Sequence, residues 1–218
     1  MPELAPNLLG LLVVTTAMGF LVLAVVTVTA FVKISVVMFL LRNALGVQQA
    51  PPNIVLYAIT IILTAFVSMP LARDAYTAVT LPGLEYKTFG DWIGVAQRAA
   101  APLREHLQHY TTGPERSFFL GAASRLWPED MREQLGPDDL AILVPAFLIA
   151  ELQRSFEIGF LLYLPFVVID LVVTTILMAM GMSQVQPNTI AVPIKLFLFV
   201  IVQGWTRLLH GLVTSYVL

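Results

Sequence analysis

The sequence predicts an all-α integral membrane protein of helical hairpins, with a helical extracytoplasmic domain between its second and third apolar regions. Hydrophobic residues make up 58% of the 218 residues and charged residues only 12%, whereas an ordinary soluble domain has roughly 25% charged residues. The mean hydropathy is +0.83. Two long uncharged runs near the amino terminus could each supply the roughly 20 apolar residues that a membrane-spanning helix needs.

The first apolar region, residues 1–72, is predicted to hold two membrane-spanning helices with a short cytoplasmic connection. No charged residue lies between Leu4 and Val32. Because the chain starts without the basic residues of a signal peptide, we expect a retained first span near Leu8–Ala30. The connection carries Lys33 and Arg42 and no acidic residue. The positive-inside rule therefore places the connection in the cytoplasm and the amino terminus on the outer face.

The second span is predicted to run from Ile54 to Met69. Before it, Gly46 is expected to end a helix, as glycine often does at this position. Asn53 is expected to cap the new helix. Pro70 is expected to limit the span, because proline lacks the N–H that a helix interior needs.

Residues 73–139 are predicted to form a polar helical domain on the outer face. Seven of the 12 basic and ten of the 14 acidic residues lie in this segment. An amphipathic helix is expected over Arg98–Tyr110, broken near Pro102. His106 and His109 are too few ligands for a zinc site, so we expect them on a solvated helix face. The predicted core of this domain consists of its large apolar residues, which are Trp92, Phe118, Phe119, Leu120, Leu126 and Trp127.

Residues 140–218 are predicted to form apolar hairpins interrupted by charges, which make the oligomer contacts. Each charge at the bilayer centre costs about 2.5–3.5 kcal/mol, so these side chains need other charges, other subunits or a water-filled passage. Glu151, Arg154 and Glu157 share one helix face and can pair along it. Lys195 is the available cation for Asp170 or for the surplus glutamate. The interrupting charges are Glu151, Arg154, Glu157, Asp170, Lys195 and Arg207.

Two interpretations of these features stay open from the residues alone. The charges either fix how the helices pack, or they line a pore and handle protons. The segment between the last apolar helices is broken by Gly181 and Pro187. It is either a plain hairpin turn or a deformable, thioether-rich surface that seals against its surroundings. Its candidate gate residues are Met178, Met180, Met182, Ser183 and Gln184.

No motif for enzymatic chemistry is present in the sequence. It lacks a phosphate-binding loop, a dinucleotide fingerprint and a zinc-protease motif, so we expect neither an enzyme nor a bound cofactor. A net charge of −2 argues against a nucleic-acid partner, which would require a basic surface.

Three strings resemble the SctR/HrcR/FliP family, the export-apparatus membrane proteins of type III secretion systems and flagella. Residues 40–53 read LLRNALGVQQAPPN, and residues 145–182 contain PAFLIAEL, FEIGFLL, LPFVVIDLVV and MAMGM in order. Residues 193–200 read PIKLFLFV, followed by Gly204 and Trp205. The absence of a basic signal peptide resembles the secretion-system branch more than the flagellar one.

The resemblance implies an oligomer of this chain, a pentamer, with smaller S-type and T-type subunits and with U-type and V-type export components. These would form an entrance pore in the bacterial inner membrane for unfolded secreted proteins, with residues 73–139 in the periplasm and residues 140–218 on the pore side. It also implies that Glu151 pairs with Lys195 and that Met180–Gln186 forms a methionine-rich gasket. Here Ser183 and Gln184 follow Met182 where many relatives continue with methionine, which predicts a less apolar gasket.

Two alternatives to the export pore are kept. The first is an ion-coupled transporter or channel subunit in which Asp170, Glu151 and Lys195 relay protons around a site at the membrane midplane. That class is expected to show two related halves, and the sequence shows no internal symmetry. The second is a scaffold that anchors a secretion machine without lining its channel.

Overall fold

The computed structural model describes residues 4–47, 49–80, 89–133 and 135–217. Within these ranges the chain forms helices and no strand, which confirms the predicted all-α class. The helices are α1 (Leu4–Val28), α2 (Phe31–Ala44), α3 (Asn53–Val79), α4 (Phe89–Tyr110), α5 (Gly113–Leu126), α6 (Glu129–Arg132), α7 (Leu140–Ala179), α8 (Pro187–Ile201) and α9 (Gly204–Thr214).

Two of the described helices are long and apolar enough to cross a membrane. They are α3, with 27 residues, and α7, with 40 residues. Two helix pairs joined by short breaks also qualify when each pair is taken as one span, namely the end of α1 with α2, and α8 with α9. These apolar helices fit the membrane protein that the composition predicts.

The chain divides into two compact units. The first contains the chain up to Val32 together with Leu71–Ala150, and the second contains Lys33–Pro70 together with the chain from Glu151 onward. The unit borders near residues 70 and 150 differ from the predicted domain borders at 72 and 139. The first eleven residues of α7 therefore lie in the same unit as the polar segment.

The buried core of the first unit differs from the predicted one. Phe118 and Leu126 are 65% and 78% exposed, so their prediction as core residues is wrong. Phe119, Leu120 and Trp127 are partly buried, and the side chain of Trp92 lies outside the described residues. The apolar start of α7 and the end of α4 supply the large buried side chains instead. Buried apolar residues from α4, α5 and α7 are Leu107, Tyr110, Ala123, Ile142, Leu143, Ala146 and Phe147.

Two prolines that were expected to interrupt helices lie inside them. Helix α3 continues past Pro70 to Val79, and α4 passes through Pro102 without a break. A proline removes one backbone hydrogen bond and adds a steric clash, but the helical bonds on both sides persist. For the apolar helix α3, the helix also remains the best way to satisfy the other backbone groups. The predicted end at Pro70 and the predicted break near Pro102 are therefore wrong.

The end of α2 confirms the predicted role of Gly46. Its φ angle is 74°, and its N–H donates to the carbonyl oxygen of Asn43 over 3.0 Å. Only glycine adopts this left-handed conformation at little cost. A β-carbon at this position would also stand 2.9 Å from Cγ2 of Val192 on α8.

The start of α3 differs from the prediction. Asn53 is the first residue of the helix rather than its cap, since the carbonyl of Pro52 accepts the hydrogen bonds of the first turn, including that from the N–H of Leu56. The side-chain oxygen of Asn53 accepts a hydrogen bond from Nη1 of Arg42 instead. This contact joins the end of α2 to the start of α3.

The charged carboxy-terminal region is organised around one continuous helix. At 1.5 Å per residue, the 40 residues of α7 extend over about 60 Å, roughly twice the thickness of a bilayer's hydrocarbon core. Its end packs against α8 as a hairpin, with Val173 and Leu177 buried beside Ala191. Helices α8 and α9 then bend by 61° at a break where Gln203 has a φ angle of 54°.

Candidate functional site

The first group of charges in the second unit surrounds Glu151 and is called the Glu151 cluster, formed by Lys33, Glu151, Arg154 and Tyr216. Nζ of Lys33 lies 3.3 Å from Oε2 of Glu151, and Nη1 of Arg154 lies 3.0 Å from Oε1. The hydroxyl of Tyr216 donates a hydrogen bond to Oε2 as well. Nζ of Lys33 also stands 3.5 Å from the centroid of the Tyr216 ring, within the range of a cation–π interaction.

The charges of this cluster are buried, and burying charges costs free energy. The side chains of Glu151 and Lys33 are 0% and 2% exposed, whereas Arg154 is 36% exposed. Removing charges from water costs several kcal/mol per ion, and only close pairing with further hydrogen bonds offsets that cost. Glu151 has such partners on both of its oxygens. The cluster therefore holds the start of α2, α7 and the chain end after α9 in one arrangement.

The second group of charges is the Asp170–Lys195 pair. Nζ of Lys195 lies 2.6 Å from Oδ2 of Asp170 and donates to the carbonyl oxygen of Ala44 over 3.1 Å. Ala44 is the last residue of α2, where unpaired carbonyls and the helix dipole both favour a cation. Lys195 is 5% exposed and Asp170 is 37% exposed. One lysine on α8 thus ties α7 to the end of α2.

These positions differ from the pairing of Glu151 with Lys195 that the resemblance implies. Within this chain Lys195 lies with Asp170, and Glu151 lies with Lys33. Glu151 and Asp170 are 19 residues apart on one helix, about 28 Å along its axis, so a single lysine does not reach both. The protomer therefore does not contain the implied pair of Glu151 with Lys195. Its pair of Lys195 with Asp170 is one of the two pairings that the sequence leaves open.

Sequence reasoning missed Lys33 and Tyr216 as members of the Glu151 cluster. Lys33 was used only to orient the membrane spans. A signal was available, because Lys33 is the first basic residue of the chain and lies between apolar residues, where a lysine needs an acidic partner. No sequence signal distinguishes Tyr216 from other aromatic residues near the end of the chain.

Glu157 does not belong to either group. It was predicted with the buried charges, yet it is exposed in the protomer. Oε1 of Glu157 accepts a hydrogen bond of 3.0 Å from Nε2 of Gln153, one turn earlier on α7. The shared helix face predicted for the three charges therefore places Glu151 inward, Arg154 at the boundary and Glu157 outward.

The methionine-containing segment forms the turn between α7 and α8. The N–H of Met182 donates to the carbonyl oxygen of Leu177, and that of Gly181 to Met178, each over 3.0 Å. With Gly181 at a φ angle of 71°, this pattern is a Schellman motif, which satisfies the last carbonyls of a helix. Met178, Met180 and Met182 are 72%, 65% and 40% exposed, and Ser183 and Gln184 are exposed beside them.

The two histidines of α4 have different surroundings. His109 is exposed, as predicted, but His106 is partly buried, with its ring centroid 4.9 Å from that of Tyr110 and 6.0 Å from that of Phe147. Burial lowers the pKa of His106, and the neighbouring charge of His109 lowers it further. The prediction of a solvated face is therefore wrong for His106. Among the described residues, no group of three or more side chains could hold a metal ion.

Comparisons with known proteins show what the chain is similar to. Residues 13–212 match the FliP family. The chain is 61% identical over 216 residues to the "Probable translocation protein y4yL" of Sinorhizobium fredii, covering 99% of this chain and 97% of the relative. It is 47% identical over 218 residues to the "Yop proteins translocation protein R" of Yersinia pestis, with 97% of each covered. Over 209 residues it is 45% identical to the "Hypersensitivity response secretion protein HrcR" of Ralstonia nicotianae, covering 95% and 96%.

Proposed function

The chain belongs to the FliP family, and from this premise we propose that it is a core subunit of a type III protein export gate. In this proposal, several copies, a pentamer, assemble with S-type and T-type subunits and contact U-type and V-type export components. Together they form the entrance pore through which unfolded secreted proteins leave the cytoplasm across the bacterial inner membrane. Its relatives are named as translocation and secretion proteins, which supports this role.

The observation that carries the proposal is the hairpin of α7 and α8. Two of its acidic residues, Glu151 and Asp170, are paired with Lys33 and Lys195, while its tip presents three exposed methionines. Charge neutralisation lets an apolar hairpin keep a fixed position beside other helices. Exposed methionines offer a deformable apolar surface that can close against copies of itself. A hairpin whose helices are held in place by ion pairs and whose turn is deformable is suited to a gate.

The exposed surface of the same hairpin supports assembly with other subunits. Phe160, Leu161 and Leu171 on α7 are 62–66% exposed, and Phe197 and Val200 on α8 are 69% and 70% exposed. Large exposed apolar surfaces mark contacts with protein or lipid. In the proposed assembly, sister subunits cover part of this surface.

The proposed orientation places the amino terminus and residues 73–139 in the periplasm. Arg42 lies in the last turn of α2, just before the connection to α3, and Lys33 lies near the start of α2, with no acidic residue between them. This arrangement supports a cytoplasmic connection by the positive-inside rule.

The contacts of Glu151 favour a structural role over the alternative of an ion-coupled transporter. A proton relay requires carboxylates that gain and lose protons along a water-filled path. Glu151 is fully buried and is held at once by Lys33, Arg154 and Tyr216. With three partners on one carboxylate, Glu151 fixes the packing of the helices around it.

Replacement of both Met180 and Met182 by glycine tests the gate. If these methionines seal the closed pore, the double variant increases the leak of small ions across the inner membrane of cells that express the whole apparatus, because the seal loses its apolar bulk. Met131→Gly is the control, since Met131 is 52% exposed on α6 and lies in the other unit. An unchanged leak in the double variant, with the assembly present in normal amount, would contradict the gate.

A further inference from the structure

An apolar groove of about 540 Å³ lies within the second unit, along α9, and is called the α9 groove. This volume falls within the range of small-ligand sites. Its walls come from the middle of α7, the end of α8 and most of α9. The wall contains side chains of Leu162, Phe166, Leu198, Val202, Arg207 and Leu212, among others.

Among the described residues that line the α9 groove, Arg207 is the one that carries a charge. The second unit contains three acidic residues, of which Glu151 and Asp170 are paired with lysines and Glu157 is bound by Gln153. Within the part of the chain that the structure describes, the guanidinium of Arg207 forms no ion pair. Arg207 is exposed, so the groove combines an apolar floor with an available cation.

Helix α9 has the character of a helix at a membrane surface. Gly204, Leu208 and Leu212 are buried on one face, whereas Arg207 and His210 are exposed. Its 11 residues extend over only about 16 Å, so α9 does not cross a bilayer alone. An amphipathic helix with basic residues on its polar face lies at the boundary between headgroups and acyl chains.

We propose that the α9 groove binds an anionic phospholipid, with an acyl chain between α7, α8 and α9 and the phosphate on Arg207. A guanidinium binds phosphate through two parallel hydrogen bonds, which makes arginine the suitable cation for such a headgroup. The phospholipid supplies an apolar chain and a charge of the required sign in one molecule. The membrane around α3 and α7 supplies it at high local concentration.

Gly211 provides a direct way to fill the groove. It lines the groove, and a β-carbon at this position meets no atom within 4 Å. A β-carbon therefore fits at this position, and a larger side chain is expected to occupy part of the groove. Gly121 on α5 is a matched control, because a β-carbon there also meets nothing within 4 Å and the site lies in the other unit.

The experiment measures lipid retained by the full chain, purified with its partner subunits in detergent and titrated with phosphatidylglycerol or phosphatidylethanolamine. Native mass spectrometry counts bound lipids. We expect phosphatidylglycerol to be retained by the wild type in preference to phosphatidylethanolamine. Arg207→Gln and Gly211→Leu should each weaken that retention by about tenfold, because one removes the phosphate contact and the other fills the groove. Arg125→Gln on α5 and Gly121→Leu should leave it unchanged.

Two results would overturn the proposal. The first is equal retention of phosphatidylglycerol by the wild type and Arg207→Gln. The second is a Gly211→Leu variant that loses copies of the chain from the complex while retaining lipid, which would show that a second copy covers the groove. Because Arg207 is exposed, Arg207→Gln is expected to fold. Weaker lipid retention by this variant would therefore support the proposal, and unchanged retention would contradict it. Neither result bears on whether the assembly exports proteins.

Discussion

Lys33 shows how one lysine is accommodated in an apolar helix. Its ammonium group contacts the carboxylate of Glu151 and the ring of Tyr216, so a charge that lipid would disfavour is held by protein. The same lysine is the third residue of α2. Through these contacts Lys33 joins α2 to α7 and to the chain end after α9 within the second unit.

Lys33→Met is expected to destabilise the chain by about 3–5 kcal/mol, because it leaves Glu151 buried without its lysine. The double variant Lys33→Met, Glu151→Leu is expected to recover most of this loss, since it removes both charges and keeps apolar volume. Denaturant unfolding in detergent, followed by tryptophan fluorescence, measures both values. A double variant as unstable as the single one would show that the ion pair does not account for the effect.

His106 is expected to make the first unit less stable in acid. Burial holds the pKa of His106 in the folded chain below the usual value of 6.5. As the pH falls through 6.5, His106 therefore takes up a proton in the unfolded chain while it is still neutral in the folded chain. The contribution of His106 to stability is therefore complete above pH 6.5 and is lost as the pH falls toward the lowered folded pKa. Other titrating groups add their own pH dependence.

Matched glutamine variants isolate this effect. His106→Gln should reduce the fall in thermal stability between about pH 7.5 and about pH 5.5, whereas His109→Gln, at an exposed position, should leave most of it. The melting temperature in detergent is the measurement. Parallel pH profiles for His106→Gln and the wild type would contradict a role for His106.

At the scale of elements, α2 and α7 approach closely at Gly159. This glycine is buried, and a β-carbon there would collide with the side chain of Leu40. The absence of a side chain thus allows the two helices to pack together. The sequence alone does not reveal this requirement, because it depends on which helix α7 meets.

Gly159→Ala is expected to destabilise the chain by about 1–3 kcal/mol through overpacking, although alanine is by itself the better helix former. Gly121→Ala, on an open face of α5, should instead stabilise by about 0.5–1 kcal/mol. Chemical unfolding measures both changes. Adding Leu40→Ala should make the cost of Gly159→Ala smaller; an additive double variant would contradict the contact.

Element predictions succeeded where a local rule decides the outcome. Gly46 ends α2 and Gly181 turns the chain after α7, because left-handed backbone favours glycine in any context. They failed where tertiary context decides: Pro70 and Pro102 lie within helices, and Asn53 contacts Arg42 rather than capping α3. A proline or an asparagine has only a local conformational preference, and contacts with the rest of the fold can outweigh it.

At the scale of the whole molecule, composition predicts the class and charge spacing predicts only part of the site. The need for partners follows from the cost of placing a charge in apolar surroundings. The sequence offers Lys195 as the cation for Asp170 or for the surplus glutamate, without deciding between them. The partner of Glu151 lies 118 residues earlier in the chain, and helical periodicity does not identify a contact over that separation. The outward position of Glu157 and the α9 groove likewise depend on how helices meet.

The proposed account is tested most directly by asking whether Met182 touches a protein in transit. A photo-crosslinking amino acid replaces Met182 in the assembled apparatus, and a secreted substrate is stalled by a tightly folded domain at its end. The account predicts a covalent adduct between this chain and the substrate. The same amino acid at Met131, an exposed position in the other unit, should give none. A stalled substrate that crosslinks at neither position, or equally at both, would contradict a passage lined by the α7–α8 hairpin.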